Sequence, residues 1–364
     1  MRCSPTSLQN GDRQVPLNEP GWWYGAAPQW PSRVLAPVGA LYGRLSEFRM
    51  RGSTPYTPRI PVLCVGNFTA GGTGKTPMAI ALAQVVRDSG SEPVFLSRGY
   101  GGRLHGPDVV DLERHTHADT GDEPLLLARV APAVVARDRR QGAELIERTY
   151  GPKAVIIMDD GLQNPALKKD FSIALVDGKR AFGNGLCIPA GPLRAPLSFQ
   201  AGLVQAIAIN GTMAGADARS IRAQISRFFN GAVIKTYVAT DADITWMKTQ
   251  KIVAFAGIAN PERFFSLVEA HGGMIAERHV FPDHHAFTEA DAVRLLSSAD
   301  AHGAGLVTTE KDFVRLRGAG GAAHALAERT RTVSVSLNFE GHGYSELARL
   351  VSAAIRQHEG RTQP

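Results

Sequence analysis

The sequence predicts an α/β protein: a mainly parallel sheet with helices on both faces, a smaller second α/β lobe, and an amphipathic helix ahead of both. Three observations carry this. Apolar runs of strand length at 60–65, 93–97, 133–136, 154–158, 172–176 and 205–209 alternate with helical segments at 76–89, 123–130 and 138–149. Alternation of that kind builds parallel sheets covered on both sides. A second series begins near Lys251, with strands at 252–256, 275–281 and 306–308 and helices at 261–271, 289–302 and 343–356. Between 30 and 51, apolar residues recur at helical spacing.

At 364 residues the chain is long enough for two lobes. With 44% apolar and 20% charged residues it is globular rather than disordered. The formal charge of +6 suits an anionic ligand or an anionic membrane surface. No stretch combines clustered Lys and Arg with interleaved aromatics, so nucleic acid is not an expected partner. Cys3, Cys64 and Cys187 show neither disulfide nor zinc spacing. No run approaches 18 apolar residues and no secretory signal is expected.

Taken in order, residues 1–20 read as a polar lead. Trp22, Trp23, Tyr24 and Trp30 then introduce a helix in which Val34, Leu35, Val38, Leu41, Tyr42, Leu45 and Phe48 share one face. Arg33, Arg44, Glu47, Arg49 and Arg51 take the other. This is the pattern of an interfacial membrane helix, and equally of a helix packed on the protein body. Pro37 fits if it lies near the helix start. The divisions expected are 1–50 for the lead and amphipathic helix, 51–225 for the core and 226–250 for an irregular inter-lobe connection. The smaller lobe follows at 251–364, and residues 318–323 read as a flexible surface turn.

The strand at 60–65 breaks into Thr69-Ala70-Gly71-Gly72-Thr73-Gly74-Lys75-Thr76 and then a helix. This is a phosphate-cradling loop: bare N–H groups and a helix N-terminus face the anion, Lys75 reaches the outer phosphates, and the Thr76 hydroxyl ligates Mg²⁺. Thr69 stands where the first glycine of such loops usually falls. The core is therefore P-loop NTPase-like. The run 155–158 ends in Asp159-Asp160, where an acid at a strand's carboxyl end holds Mg²⁺. Ser97-Arg98-Gly99-Tyr100 follows the second strand on the same sheet edge. In Gly121-Asp122-Glu123-Pro124 the aspartate is either an ordinary helix cap or a functional carboxylate. Asp283-His284-His285 offers metal ligands, a general base or plain surface polarity. Arg194 closes a proline- and glycine-rich loop as a contact for an acidic substrate group, and Thr309-Glu310-Lys311-Asp312 either touches ligand or caps a helix.

These motifs, in this order over about residues 30–317, resemble the tetraacyldisaccharide 4′-kinase (lipid A 4′-kinase) family. The resemblance rests on the Gly66–Pro77 loop, Ser97-Arg98-Gly99-Tyr100, Gly121-Asp122-Glu123-Pro124, Asp159-Asp160-Gly161-Leu162-Gln163, Pro189-Ala190-Gly191-Pro192-Leu193-Arg194, Asp283-His284 and Thr309-Glu310-Lys311-Asp312. It implies a kinase using ATP and Mg²⁺ on an acylated glucosamine disaccharide 1-phosphate. It also implies a place on the cytoplasmic face of the inner membrane of a Gram-negative bacterium, reached through the N-terminal helix; no obligate protein partner is evident in the sequence. Asp122 would be the catalytic base paired with His284. Lys75 would act on the transferring phosphoryl group, Asp159 and Asp160 on the metal, and Arg98, Arg139 and Arg194 on phosphate or headgroup. Two positions depart from the family pattern: Asn164 stands where His is usual, and Ala195 where Glu is common. The rival expectations are a P-loop NTPase coupled to a protein or metal partner, and a kinase for a soluble small molecule.

Overall fold

The computed structural model describes residues 19–25, 27–211, 216–240, 244–317 and 320–362. The polar lead through residue 18, Cys3 and the Gly318-Ala319 part of the expected turn lie outside the described residues.

The chain enters through a 3₁₀ turn, Gly21–Tyr24, and helix α1, Trp30–Arg51. Then follow β1 (Val62–Asn67), α2 (Lys75–Asp88), β2 (Glu92–Ser97), β3 (Asp108–Val109), α3 (His117–Thr120), α4 (Asp122–Ala128), β4 (Ala133–Val135) and α5 (Arg139–Tyr150). Next come β5 (Ala154–Asp159), β6 (Phe171–Asp177), α6 (Leu197–Ala201), β7 (Ala206–Asn210), α7 (Ala216–Ile225) and β8 (Ala232–Ala239). The second lobe holds β9 (Lys251–Ala256), α8 (Pro261–Ala270), β10 (Met274–Val280), α9 (Glu289–His302) and β11 (Gly305–Thr309). It closes with α10 (Glu310–Leu316), α11 (Gly321–Arg329) and β12 (Thr330–Val333). The chain ends in β13 (Ser336–Phe339) and α12 (Gly343–Thr362).

Among the described residues the larger sheet has nine strands in the order β13-β8-β7-β6-β1-β5-β2-β4-β3. It is parallel except for the two outermost pairings, β13 on β8 and β3 on β4. The strand carrying the phosphate loop thus lies between β5 and β6, with Val65 opposite Asp159 on one side and Ile173 on the other. Its side chains alternate between two cores. Val62 and Cys64 join Ile156, Met158 and α5's Ile146 on one face; Leu63 and Val65 join Ile157, α2's Leu82 and α12's Val351 on the other. Burial on both faces is why these strands read as continuous apolar runs. The smaller sheet, β10-β9-β11-β12, is wholly parallel.

Three expectations change. The connection expected at 226–250 is not merely irregular: it contains β8, a sheet strand whose Lys235, Thr236 and Tyr237 mask its apolar neighbours in the sequence. The smaller lobe does not run to the C-terminus. After β12 the chain returns to the large sheet, where β13 pairs with β8 and α12 packs on α2 and β8, burying Leu347 and Val351. Gly321 to Ala323, expected in a surface turn, instead open α11.

Helix α1 docks by its smallest residues. Ser32, Gly39 and Gly43 are buried. A Cβ at Gly39 would fall 2.5 Å from the Cys187 carbonyl oxygen, and one at Gly43 would fall 2.8 Å from the Cys187 Sγ. Pro37 lies inside the helix rather than at its start. Gly39→Val sets a branched side chain against backbone that cannot yield, at a cost of about 1–3 kcal/mol. Amide hydrogen exchange along α1 is expected to accelerate by roughly one order of magnitude or more, with exchange in β1 and β5 unchanged. Gly43→Ala, which meets a movable thiol, should change it less.

Candidate active site

The carboxyl ends of β1, β2, β5 and β6 meet at one sheet edge, and the second lobe closes over it. The phosphate loop needs glycine at 74: φ is +93°, and a Cβ there would fall 2.4 Å from Asn210 Nδ2. That amide in turn donates to the Thr73 carbonyl at 2.8 Å. Asn67 Nδ2 donates to the Gly71 carbonyl at 3.1 Å, and Ala70 N donates to the Pro192 carbonyl at 2.8 Å. Thr69 is buried and bridges to Leu193, so the loop is held by the segment that carries Arg194. The Glu19 carboxylate rests against Gly71 and accepts from Tyr24 Oη at 3.0 Å and Arg180 Nη1 at 2.6 Å.

Lys75 begins α2. Its Nζ donates to the Gly71 carbonyl at 3.4 Å and sits 3.8 Å from Asp160 Oδ2. Arg194 Nη1 bonds the other oxygen of Asp160 at 2.7 Å. Burial raises the Asp160 carboxyl pKa, but the Lys75 and Arg194 charges outweigh it and hold the group below its ordinary range. Asp159 has the opposite fate. It is 2% exposed, and neither carboxylate oxygen has a hydrogen-bond partner. Burial, then the Glu123 carboxylate, push its pKa up to about 7. The neighbouring Thr73 hydroxyl and the Asn67 and Asn210 amide oxygens are likewise buried without partners. A buried carboxylate in that condition calls for a cation. The oxygen donors at hand, Asp159, Asp160 and the Thr76 hydroxyl, are of the kind Mg²⁺ takes.

Asp122 opens α4, whose cap is Gly121. The cap reading therefore fails. Among the described residues its carboxylate accepts nothing from the helix N–H groups and turns to the second lobe. His284 Nδ1 lies 2.9 Å from Oδ2, and Arg315 donates to the same oxygen from Nε at 2.8 Å and Nη2 at 2.6 Å. Burial raises the carboxyl pKa, yet the His284 and Arg315 hydrogen bonds and the Arg315 charge hold it well below the usual carboxylate range. Next to it Glu123 pairs with Lys311 Nζ at 3.2 Å, and the lysine charge keeps that carboxyl ionised. Lys75 and Asp160 act on Glu123 as well, so the two groups of charges form one continuous site between the lobes.

Backbone geometry marks the same place. The non-glycine residues with positive φ among those described are Asp160, Ala181 and His284. Such conformations cost about 1–3 kcal/mol each and cluster at functional sites. Tyr100 packs edge-on to the His284 ring at 5.5 Å. Arg98 is exposed at the end of β2, and with burial it lowers the basicity of the buried Arg139. Arg139 donates to the Ala136 carbonyl, leaving its Nε without a partner.

The two adjacent histidines separate. His284 enters the site; His285 bonds Asp291 at 2.9 Å and stacks on Phe281, serving the start of α9. Asn164 makes a local turn by accepting from Ala166 N, and Ala195 is buried, its carbonyl accepting from Gln200. In the 309–312 motif Thr309 caps α10, Asp312 accepts from Gly257 N at 3.0 Å, and Lys311 reaches Glu123. Sequence reading missed Arg315. Its one signal was its position three residues after Asp312, on the same face of α10.

The family described as tetraacyldisaccharide-1-P 4'-kinase matches residues 31–355. A tetraacyldisaccharide 4'-kinase of Rhodopseudomonas palustris (strain BisB5) is 48% identical over 301 residues, covering 82% of this chain and 87% of that one. One of Methylobacterium nodulans is 44% identical over 349 residues, covering 96% and 100%. In three dimensions the chain is similar to LpxK from Aquifex aeolicus, crystallised in complex with ATP. The TM-score is 0.69 at 23% identity, over 89% of this chain and 99% of that one.

Proposed function

The chain belongs to the tetraacyldisaccharide-1-P 4'-kinase family, and on that premise we propose how its cleft works. The reaction is transfer of the γ-phosphate of ATP to the 4′-hydroxyl of tetraacyldisaccharide 1-phosphate, in lipid A biosynthesis. The phosphate loop from Thr69 to Thr76 holds the nucleotide, and Lys75 lies against the transferring phosphoryl group, offsetting charge that spreads over its oxygens. Asp122 accepts the proton of the attacking 4′-hydroxyl as its oxygen bonds phosphorus and the bond to the ADP bridging oxygen breaks. His284 holds that carboxylate. Arg194, Arg139 and Arg98 would serve as contacts for phosphate or headgroup. Asp159, with Asp160 and Thr76, would hold Mg²⁺, whose charge offsets that of the phosphates.

One observation carries this assignment: Asp122 is buried, and its partners His284 and Arg315 come from the second lobe. A partner-coupled NTPase needs no such carboxylate for an acceptor hydroxyl. The test is transfer of labelled γ-phosphate to tetraacyldisaccharide 1-phosphate in detergent micelles. Mg²⁺-dependent labelling of the disaccharide is expected. ATP hydrolysis without labelled lipid would favour the coupled NTPase instead.

We further propose that α1 carries the enzyme onto the cytoplasmic face of the inner membrane. Its outward face exposes Trp30 and Phe48 at 76% each, with Val34, Val38, Leu41, Tyr42 and Leu45 between them. Arg33, Arg44, Arg49 and Arg51 flank that stripe, the arrangement of a helix lying on anionic lipid. No described helix is long and apolar enough to cross a membrane. Replacing Trp30, Leu41 and Phe48 together by Ser removes several kcal/mol of apolar transfer. Binding to vesicles containing anionic lipid should fall roughly a hundredfold, while turnover of micellar substrate stays within about twofold of the parent. Unchanged vesicle binding would exclude α1 as the anchor.

A further inference from the structure

We propose that Arg315 is a positioning residue of the transfer: from the second lobe it pins Oδ2 of Asp122, so that Oδ1 is the oxygen offered to the acceptor hydroxyl and the base is complete only where the two lobes meet. This rests on the reading of Asp122 as the base.

Every nitrogen of the guanidinium is committed. Nε and Nη2 go to Asp122 Oδ2, while Nη1 donates to the Gly257 carbonyl and to Asp312 Oδ1, each at 2.7 Å. Asp312 is itself fixed, accepting from Gly257 N at 3.0 Å and from the Thr309 hydroxyl at 2.7 Å. Arg315 is 3% exposed, and its guanidinium cannot swing without breaking bonds on two elements. His284 approaches the same Oδ2, and among the described residues no hydrogen bond reaches Oδ1. Three donors on one oxygen and none on the other is an orientation, where an ion pair alone would serve with either.

The charges around the carboxylate do not share this geometry. Lys311 is engaged with Glu123, and Arg103 with Asp119. His117 faces Asp122 and Arg315 from α3, with its buried Nδ1 unpartnered and burial lowering its pKa. Arg315 is thus the permanently charged group in direct contact with the base. It weakens the carboxylate as a base while keeping it ionised. That exchange is workable because the attacking hydroxyl acidifies as its bond to phosphorus forms.

The sign of the pH effect follows. Asp122 works ionised, so its acid limb lies at its pKa; losing the Arg315 charge raises that pKa and moves the limb upward. In the full chain, Arg315→Gln is expected to lower kcat by about 10–100-fold with the ATP KM little changed. The acid limb of kcat/KM should move up by about one pH unit or more. Arg315→Lys keeps the charge and loses the fork, so the limb should stay near the parent's while kcat remains depressed. In an Asp122→Asn background, Arg315→Gln should bring no further loss. A parental pH profile in Arg315→Gln, or an independent loss on top of Asp122→Asn, would overturn the proposal. Should Arg315→Gln fail to fold, Arg315→Lys decides: parental kcat overturns the proposal. Near-parental turnover by Asp122→Asn alone would instead remove the base assignment, and is read separately.

Discussion

Asp122→Asn is expected to lower kcat by about three orders of magnitude, near the middle of the range for losing a general base. The substitution keeps the shape and an oxygen to receive Arg315, so it isolates the loss of the negative charge and of the proton acceptor. The ATP KM should move little, since Asp122 lies on α4 and not on the phosphate loop. The variant also leaves the buried Arg315 short of a counter-charge, with Asp312 still beside it at 2.7 Å. Removing one partner of a buried pair costs about 3–5 kcal/mol, and the retained Asp312 contact should keep the loss toward the low end. Folding is checked by circular dichroism and a denaturant midpoint, and transfer by labelled phosphate at saturating ATP. Retention of more than a tenth of the parental kcat would return Asp122 to a purely structural role in joining the lobes.

Lys75→Ala should cost about 10²–10³ in kcat/KM, the scale seen when one donor to a developing charge is removed. In the structure Lys75 is folded back, its ammonium shared between the Gly71 carbonyl and Asp160. Arg194 still neutralises Asp160 when the lysine is gone, so the loop should remain folded and the deficit should appear in the transfer step. ATP affinity measured by calorimetry is expected to weaken by roughly tenfold, less than the fall in turnover. A defect confined to the KM of the lipid acceptor would contradict a place for Lys75 beside the phosphoryl group.

The legible parts of this protein were those whose physics is local. Strands β1 and β5 are buried on both faces and show uninterrupted apolar runs, and the glycines and Lys75 stand in consecutive sequence. Asp159, Asp160 and Arg194 occupy a strand end or loops, and Lys75 the first turn of α2, at one sheet edge where parallel topology collects ligands. What resisted reading was non-local. Strand β13 is four residues long and finds its place only by pairing with β8, so nothing in 336–339 marks it as part of the first lobe. Arg315 sits in the last turn of α10 and bonds Asp122 across 193 positions. His284 and His285 are neighbours in sequence with opposite fates, which the backbone turn at His284, φ +60°, decides.

The loop at 185–194 runs from the docking face of α1 to the site of phosphoryl transfer. Cys187 and Ala190 receive the glycine face of α1, Trp23 Nε1 donates to the Pro189 carbonyl at 3.0 Å, and Arg194 at the far end grips Asp160. With α1 lying on a bilayer as proposed, this short spacer acts as a gauge. It fixes the standoff between the leaflet and the point of phosphoryl transfer, and a headgroup must rise by that amount to be phosphorylated. Acceptors would then be sorted by the reach of the sugar above the surface more than by the length of the chains left behind in it.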